Sequence, residues 1–337
     1  MVRLWVRWLA ALAFVVGLGL IVAANRREIP AAGRALRGAN AGWLALGALA
    51  LLAWWLARIA IHAGCRSAFG LPGYRELVDL LPVTLAAVAV NSAVKSAGLA
   101  GLTIFASDGR RRSLATGPVA GAYLVAVAVG EIGVVTVLTV ALCVVWLDGR
   151  LAGAEIVAAA VFLGFFGLRV TVLVSAARSR SALRRVWSLP RSIIDRLLRR
   201  AAQPATTAAD ELYDAVQLVR SHPVAVLPAS LAAIGVDLLG ATMLWVSIAA
   251  VGGGSRPVAA LVAYAISVLF SIVSLFPGGV GVAEVGAAAV LASFHLPLAI
   301  AGAAVVVYRL YAFWLPLAAG AIAARWLRTR AAPRLAR

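Results

Sequence analysis

Five ionisable side chains lie inside stretches of the sequence that are otherwise apolar: Lys95, Glu131, Asp237, Glu284 and Arg309. A charge at the centre of a bilayer costs roughly 2.5–3.5 kcal/mol on insertion scales, so such residues mark functional positions by default. Three acids beside two bases leave two interpretations open. Either Glu131 or Asp237 neutralises Arg309 or Lys95 and the pairs only specify helix packing, or the five residues line a polar cavity that binds a charged group and exchanges protons.

The stretch from residue 275 to residue 284, which reads LFPGGVGVAE, interrupts an apolar run with one proline and three glycines. Such a break is tolerated in a membrane only where the freed backbone groups face protein or a wet cavity. We predict that a new helix begins at Val282, where unpaired N–H groups and the positive dipole end would attract an anion. Glu284, in the first turn, is predicted to cap this helix and to compete with a bound anion or exchange a proton with it. The alternative is a break that only shapes a hairpin.

These positions need a scaffold of membrane helices, because the composition excludes a water-soluble fold. Of 337 residues, 63% are hydrophobic and 13% are charged, and the mean hydropathy is +0.98. The net charge of +18 would suggest a nucleic-acid partner in a soluble chain. In a membrane protein the same charge is explained by basic cytoplasmic loops that face anionic lipid, so we exclude nucleic acid. Cys65 and Cys143 lie far apart without metal-ligand spacing, so we expect neither a disulfide framework nor a metal site.

Eight apolar runs approach or exceed the roughly 20 residues of a membrane span, and they cover residues 4–24, 42–64, 80–106, 114–147, 151–177, 223–250, 257–294 and 297–324. If all eight crossed, the arginine-rich segment 178–222 would face outside, against the positive-inside rule. We therefore predict an all-α polytopic membrane protein with about six full transmembrane helices and two re-entrant helical hairpins, 80–106 and 257–294. This topology places 21 Lys and Arg inside and 6 outside. Both termini are then cytoplasmic, in a bacterial cytoplasmic membrane, and the basic loop 25–41 is a short interfacial helix.

The two hairpins predict an inverted repeat, in which one hairpin enters from the cytoplasm and the other from outside. The breaks share a glycine spacing and an ionisable residue beyond it, in the order Gly98, Gly101 and Glu131 in the first half and Gly278, Gly281 and Arg309 in the second. Glu131 follows Gly98 by 33 residues, and Arg309 follows Gly278 by 31. On this spacing we predict that Glu131 and Arg309 occupy corresponding positions.

The chain is predicted to form one membrane domain in two halves, residues 1–177 and 223–325, followed by a basic cytoplasmic tail, 326–337. Between the halves lies the basic segment 178–222, whose apolar residues line one side and whose arginines line the other. This pattern is typical of a helix that lies on anionic lipid headgroups, here residues 178–200. The alternative is a plain loop that only sets the orientation.

The segment PGGVGVAE (277–284) and the helices after it, from Ala301 through Arg309 to Gly320, resemble a known family. It is the flippase-like transmembrane domain that lysylphosphatidylglycerol synthases share with the YbhN-type membrane proteins. The resemblance implies transfer of an anionic or aminoacylated lipid, or of a lipid-linked sugar, between leaflets.

Over residues 5–325 the resemblance is looser. Arg58 after a Trp-rich helix, Asn91 before a glycine-containing break and Glu131 in the following helix are similar to the family's pattern. One departure is the sequence NSAVKSAGLAG at residues 91–101, where family members tend to have a proline and a glycine pair. Lys95 stands in this departure.

We therefore expect the protein to translocate an anionic or polyprenyl-phosphate-linked lipid across the membrane, without a cofactor. The residues predicted to bind the headgroup lie at the two breaks or are cations at membrane depth: Asn91, Lys95, Gly98, Gly101, Pro277, Gly278, Gly279, Gly281, Arg309 and Arg58. Glu131, Asp237 and Glu284 are predicted to couple protons or to form ion pairs. For Arg58 the alternative is a long side chain that snorkels to the cytoplasmic end of its helix.

Two other functions compete with lipid transfer. The first is a non-transporting scaffold or regulator of an envelope-synthesis complex, with an envelope-biosynthesis enzyme as its partner. The second is a membrane enzyme that modifies lipids. The three histidines are scattered at the ends of apolar runs, and no HExxH, GxSxG or Walker A sequence occurs, so we expect a protein that is not an enzyme.

Overall fold

The computed structural model describes residues 28–94, 98–147, 223–274 and 276–329, together with isolated positions between 164 and 217. The predicted spans 4–24 and 151–177, most of the basic segment 178–222 and the side chain of Lys95 lie outside the described residues.

The described part of the chain is all-α, as predicted, and contains ten α-helices. They are α1 (Ile29–Arg37), α2 (Ala41–Ala68), α3 (Leu77–Ala93), α4 (Leu99–Arg111), α5 (Thr116–Leu147), α6 (Leu227–Ala250), α7 (Pro257–Val273), α8 (Val282–Ser293), α9 (Leu298–Arg309) and α10 (Leu315–Thr329). A π-helical turn, Leu310–Trp314, joins α9 to α10. Five helical stretches of this part are long and apolar enough to cross a membrane: 41–68, 74–93, 116–147, 224–250 and 298–329.

Helices α3 and α4 form the first hairpin, over Leu77–Arg111 where the sequence predicted 80–106. Arg112, directly after α4, forms ion pairs with Glu76 at 3.1 Å and Asp79 at 3.3 Å, and both acids lie at the start of α3. The hairpin therefore begins and ends at the same end of the bundle. The stretch 74–93 is apolar enough to cross alone, but the chain returns.

Helices α7 and α8 form the second hairpin, and its arms are also joined where they open. Arg256, directly before α7, donates a hydrogen bond of 3.1 Å to the carbonyl of Phe294, directly after α8. The observed arms span Pro257–Val273 and Val282–Ser293, within the predicted 257–294. The new helix begins at Val282, as the glycine break predicted.

The two hairpins open at opposite ends because the helices that precede them, α2 and α6, pack antiparallel. The backbone N–H of Asn40, before α2, donates to the carbonyl of Ala250 at the end of α6, over 2.8 Å. At the other end, a Cβ on Gly64 of α2 would lie 3.1 Å from the Cβ of Ala229 in α6. The order of long helix, hairpin and long helix thus occurs twice with inverted orientation, which is the geometry of an inverted repeat.

Each hairpin packs on the other half of the chain. Helix α3 packs against α10, where a Cβ on Gly320 would collide with the carbonyl of Leu85 and the Cβ of Ala89. Helix α7 packs against α5. Close approach of this kind is how membrane helices associate, since lipid offers no hydrophobic drive between them. The two halves are therefore interlocked.

Helix α1 precedes the N-cap residue Asn40 and contacts α9. Its Arg34 and Arg37 side chains are exposed. A short helix with exposed arginines at the end of the bundle agrees with the interfacial helix predicted for the basic loop.

We expect Gly320→Ala to lower the free energy of unfolding by about 1–3 kcal/mol, since the added methyl group overpacks the contact between α3 and α10. Gly302→Ala in α9 is the matched control, because a Cβ there meets no atom within 4 Å. That change should leave stability within about 1 kcal/mol or raise it. Thermal unfolding of the two variants in detergent measures the difference, and equal melting temperatures would contradict the packing described.

Cysteine accessibility tests the opposite openings. In a Cys143→Ser background, Ser255→Cys reports the open end of the second hairpin and Arg110→Cys that of the first; both native positions are exposed. An impermeant thiol reagent added to intact cells is expected to label the first variant only. Arg110→Cys should react after permeabilisation, because the arginine bias places it inside. Labelling of both from outside would refute the inverted arrangement.

Candidate functional site

The tip of the first hairpin is held by two polar side chains. Asn91, at the end of α3, accepts a hydrogen bond from the backbone N–H of Gly101 at 2.7 Å and donates one to the hydroxyl of Tyr123 at 2.9 Å. Tyr123, on α5, donates to the carbonyl of Gly98 at 2.6 Å. Gly98 has φ +86°, a conformation that favours glycine. These bonds pair two backbone groups at the break, the N–H of Gly101 and the carbonyl of Gly98.

An aromatic stack fixes the ring of Tyr123. His62 of α2 lies 5.8 Å from it, nearly parallel, and Phe105 of α4 lies 5.0 Å from it. His62 and Phe105 are themselves 4.6 Å apart, measured between ring centres. The hydroxyl that holds the first tip is therefore positioned by helices from three parts of the first half.

The tip of the second hairpin is held by an ion pair. Glu284 accepts a hydrogen bond of 2.6 Å from the backbone N–H of Gly281, so the predicted helix cap is present. Arg309 donates from Nη2 to the carbonyl of Gly278 at 2.9 Å, and its Nε lies 2.6 Å from Oε1 of Glu284. Because this Nε makes no aligned hydrogen bond in the described part of the chain, the contact with Glu284 is an ion pair by proximity.

Packing leaves little freedom at the second tip. The guanidinium of Arg309 lies 4.7 Å from the ring centre of Phe313, and the residue is only 7% exposed. Gly278 and Gly279 both have positive φ, 61° and 67°, within the turn Pro277–Gly279. A Cβ on Gly278 would collide with the ring of Phe313. The turn therefore requires glycine for its backbone conformation and for space.

Polar side chains hold both tips, and we call each set of contacts a clamp: Asn91 and Tyr123 form the first clamp, and Glu284 and Arg309 form the second. The two clamps differ in chemistry. The first glycine carbonyl of each break accepts from a side chain of the next long helical run: Gly98 from Tyr123 and Gly278 from Arg309. The glycine spacing in the sequence matched Arg309 with Glu131, and that correspondence stays a prediction. Tyr123 is the counterpart by contact, 25 residues after Gly98. The first clamp is thus neutral, whereas the second is an ion pair.

Asp237 lies buried between the halves, 5% exposed, and accepts a hydrogen bond of 2.7 Å from the hydroxyl of Tyr264 on α7. A Cβ on Gly133 of α5 would collide with Oδ2 of Asp237, so α5 approaches α6 closely here. Of the pairings that the sequence left open, those of Arg309 with Asp237 or Glu131 are replaced by an ion pair of Arg309 with Glu284, and those with Lys95 lie outside the described residues. Glu131, half-buried on α5, is near enough to Asp237 to interact electrostatically.

Arg58 lies on α2 with its guanidinium 4.7 Å from the ring centre of Trp54. Trp54 is one turn back along α2, away from the helix end at Ala68, so the side chain does not snorkel towards that end. The Nε of Arg58 is buried and makes no hydrogen bond to any described residue. Arg58 also interacts electrostatically with Tyr123 and with Asp237.

The structure thus brings the predicted residues into three groups: the first tip, the second tip, and a central group of Arg58, Asp237 and Glu131. Sequence reasoning missed Tyr123 and Tyr264 because tyrosine was counted among the apolar residues. A signal was present, since a phenol in an apolar membrane helix needs a polar partner.

Comparison with known proteins bears directly on this arrangement. The family model described as the lysylphosphatidylglycerol synthase TM region matches residues 8–320. The chain belongs to this family. The match spans both hairpins and the helices that hold them, which confirms the resemblance drawn from the second glycine break. A search of curated proteins finds no match.

We expect Tyr123→Phe to loosen the first tip, because it removes the donor to the Gly98 carbonyl and the acceptor for the side-chain NH2 group of Asn91. Such losses cost about 1–3 kcal/mol. Tyr311→Phe is the matched control, since the Tyr311 hydroxyl also donates to a backbone carbonyl, that of Leu44, at 2.8 Å. Hydrogen exchange of a peptide covering residues 94–101 should speed up in Tyr123→Phe only. Equal exchange in the two variants would argue against the clamp.

Proposed function

We propose that the protein translocates an anionic or polyprenyl-phosphate-linked lipid between the leaflets of the membrane, along a path between the two hairpins. The observation that carries the proposal is the pair of hairpins that open at opposite ends, each with a glycine tip held by polar side chains. A path that is alternately reached from each side needs such opposed elements. Membership in the lysylphosphatidylglycerol synthase TM family supports a role at lipids.

The helix directions favour an anionic headgroup. Helices α4 and α8 both begin at a hairpin tip, so both direct their positive dipole ends towards the tips. Oriented N–H groups and a cation offset part of the cost of moving a phosphate out of water, while the acyl or prenyl tails stay in the bilayer. Electrostatics can therefore support transfer without a covalent step.

The clamps assign roles to the predicted residues. Asn91 and Tyr123 position the first tip, and Glu284 and Arg309 position the second. Loss of either clamp is therefore expected to slow the movement of lipid between the leaflets. Lys95 adjoins the first tip in sequence, and its contribution to headgroup binding stays a prediction. Without a Walker A sequence, movement is driven by the lipid gradient or by protons through Glu131, Asp237 or Glu284.

Reconstitution into vesicles tests the function. Fluorescent phosphatidylglycerol and a polyprenyl phosphate are the probes, and movement between leaflets is read by quenching from outside. We expect wild-type protein to move at least one of them, and Glu284→Ala and Arg309→Ala to reduce the rate about tenfold or more, as loss of one charge-assisted contact allows. Arg256→Gln is the matched control, because Arg256 also donates to a carbonyl of this hairpin, but at its open end.

The other functions give different outcomes in the same vesicles. No movement of any lipid in a broad panel by wild-type protein would refute translocation in favour of a scaffold. A new product released from the lipid would instead indicate an enzyme. An equal reduction of the transfer rate in Arg256→Gln and Arg309→Ala would show that the contact at the tip matters no more for transfer than the contact at the open end.

A further inference from the structure

Two arginines lie at membrane depth in the described part of the chain, and their contacts differ. Arg309 is committed to the second tip, through Gly278 and Glu284. Arg58 has the face of Trp54 as its close partner, and its buried Nε makes no hydrogen bond to a described residue. A guanidinium has five donors, and Arg58 leaves this capacity largely unused.

Arg58 lies on α2, which packs against both α5 and α6. It is near enough for electrostatic interaction to Tyr123, which holds the first tip. It is also near enough to Asp237 and to Tyr264, which belongs to the first arm of the second hairpin. Arg58 is therefore a cation close to residues that serve both hairpins.

Asp237, on α6, is an acidic residue near Arg58 and Tyr264. It is near enough to Arg58 for electrostatic interaction, but no direct ion pair joins the two side chains within the described residues. Its hydrogen-bond donor is the phenol of Tyr264, which is uncharged. The carboxyl group can therefore keep a partner in either protonation state, accepting from Tyr264 when ionised and donating to its oxygen when neutral.

We propose that Arg58 binds the phosphate of the translocated lipid and that Asp237 takes up one proton as this anion binds. The inference rests on the proposed function and assigns its substrate contact and its coupling. In the empty protein the positive Arg58 is balanced by the ionised Asp237. In the loaded protein Arg58 is balanced by the phosphate, and a proton from water sits on an Asp237 carboxyl oxygen, so the net charge of the centre is unchanged.

The physical reason is the cost of unbalanced charge at low dielectric. A phosphate beside an ionised carboxylate would be repelled, and burial of Asp237 weakens the screening of that repulsion. A planar guanidinium can donate to two phosphate oxygens at once. Asp237 does not block this contact, because it is not in direct contact with Arg58. The incoming anion therefore replaces Asp237 as the counter-charge.

Other titratable groups lie near Asp237, and their proton uptake must be distinguished from that of Asp237. They are Tyr264 on α7, Tyr308 on α9, Glu131 on α5 and Arg58 on α2. The two phenols and the guanidinium keep their protonation states near neutral pH. Glu131 and His62, which interacts electrostatically with Arg58, are the remaining groups that could take up the proton, so each requires its own variant.

Binding is tested on the full chain in detergent. The probe is dioctanoyl-phosphatidylglycerol, with dioctanoyl-phosphatidylcholine and inorganic phosphate as comparisons, and affinity is read from the rise in melting temperature. We expect the anionic lipid to bind best, and Arg58→Gln and Arg58→Met to bind it about 10- to 100-fold more weakly. Arg37→Gln, which removes an exposed arginine of α1, should bind it as wild type does.

Unchanged affinity in a folded, monodisperse Arg58 variant would overturn the assignment. Equal affinity for inorganic phosphate would overturn the lipid as its ligand. If anionic lipid binds through Arg58 but vesicles show no transfer, the proposed function fails and the site stands. If vesicles show transfer that Arg58→Gln leaves intact, the site fails and the function stands.

The proton is tested by the pH dependence of the same affinity. The phosphodiester keeps a single negative charge between pH 5 and pH 8 in this probe, so its own titration does not contribute. Wild-type affinity should fall as pH rises, by up to about tenfold per pH unit for one proton. Asp237→Asn should abolish this dependence, and Glu131→Gln and His62→Gln should retain it. A pH dependence that persists in Asp237→Asn, or is lost in Glu131→Gln or His62→Gln alone, would overturn the coupling.

Discussion

A backbone that breaks inside a membrane must find polar partners within the protein, and the rest of the structure follows from this requirement. Both hairpins turn at glycines whose carbonyl and N–H groups leave the helical ladder. Asn91 and Tyr123 supply partners at the first turn, and Glu284 and Arg309 supply them at the second. Each clamp draws on a helix beyond its own hairpin, so the long helices must stand where those side chains reach the tips.

The inverted repeat resolves a conflict between the distribution of arginine along the chain and the number of membrane crossings. The distribution of arginine in the sequence predicts the orientation of the chain, and eight simple crossings would place the arginine-rich segment 178–222 outside, against this prediction. Hairpins that return to their starting side remove the conflict, and Arg112 and Arg256 join the open ends of their arms. The repeat is nevertheless chemically unequal. A neutral clamp holds one tip and an ion pair holds the other.

Particular residues show how much of the structure could be predicted from the sequence. The glycine break predicted the start of α8 and the capping role of Glu284, because these are local effects within one turn of helix. The glycine spacing pointed to Glu131 in the first half, whereas the side chain that contacts the first tip is Tyr123, eight residues earlier and about 12 Å away along a helix. A sequence distance cannot report the depth at which a side chain on another helix meets the tip. The partner of Asp237 was missed for the same reason, since Tyr264 is 27 residues away on α7.

Apolar runs, glycine breaks and the distribution of arginine were enough to establish a helical membrane protein with two interrupted segments. These features depend on composition and on neighbours within a few turns, which the order of residues specifies directly. The tertiary structure alone decided which side chain holds each tip, and that Arg58 lies near enough to Asp237 for electrostatic interaction. Such pairings depend on the rotation and depth of antiparallel helices, and these are set by close contacts such as Gly320 on Leu85 and Gly133 on Ala233 between residues far apart in the chain.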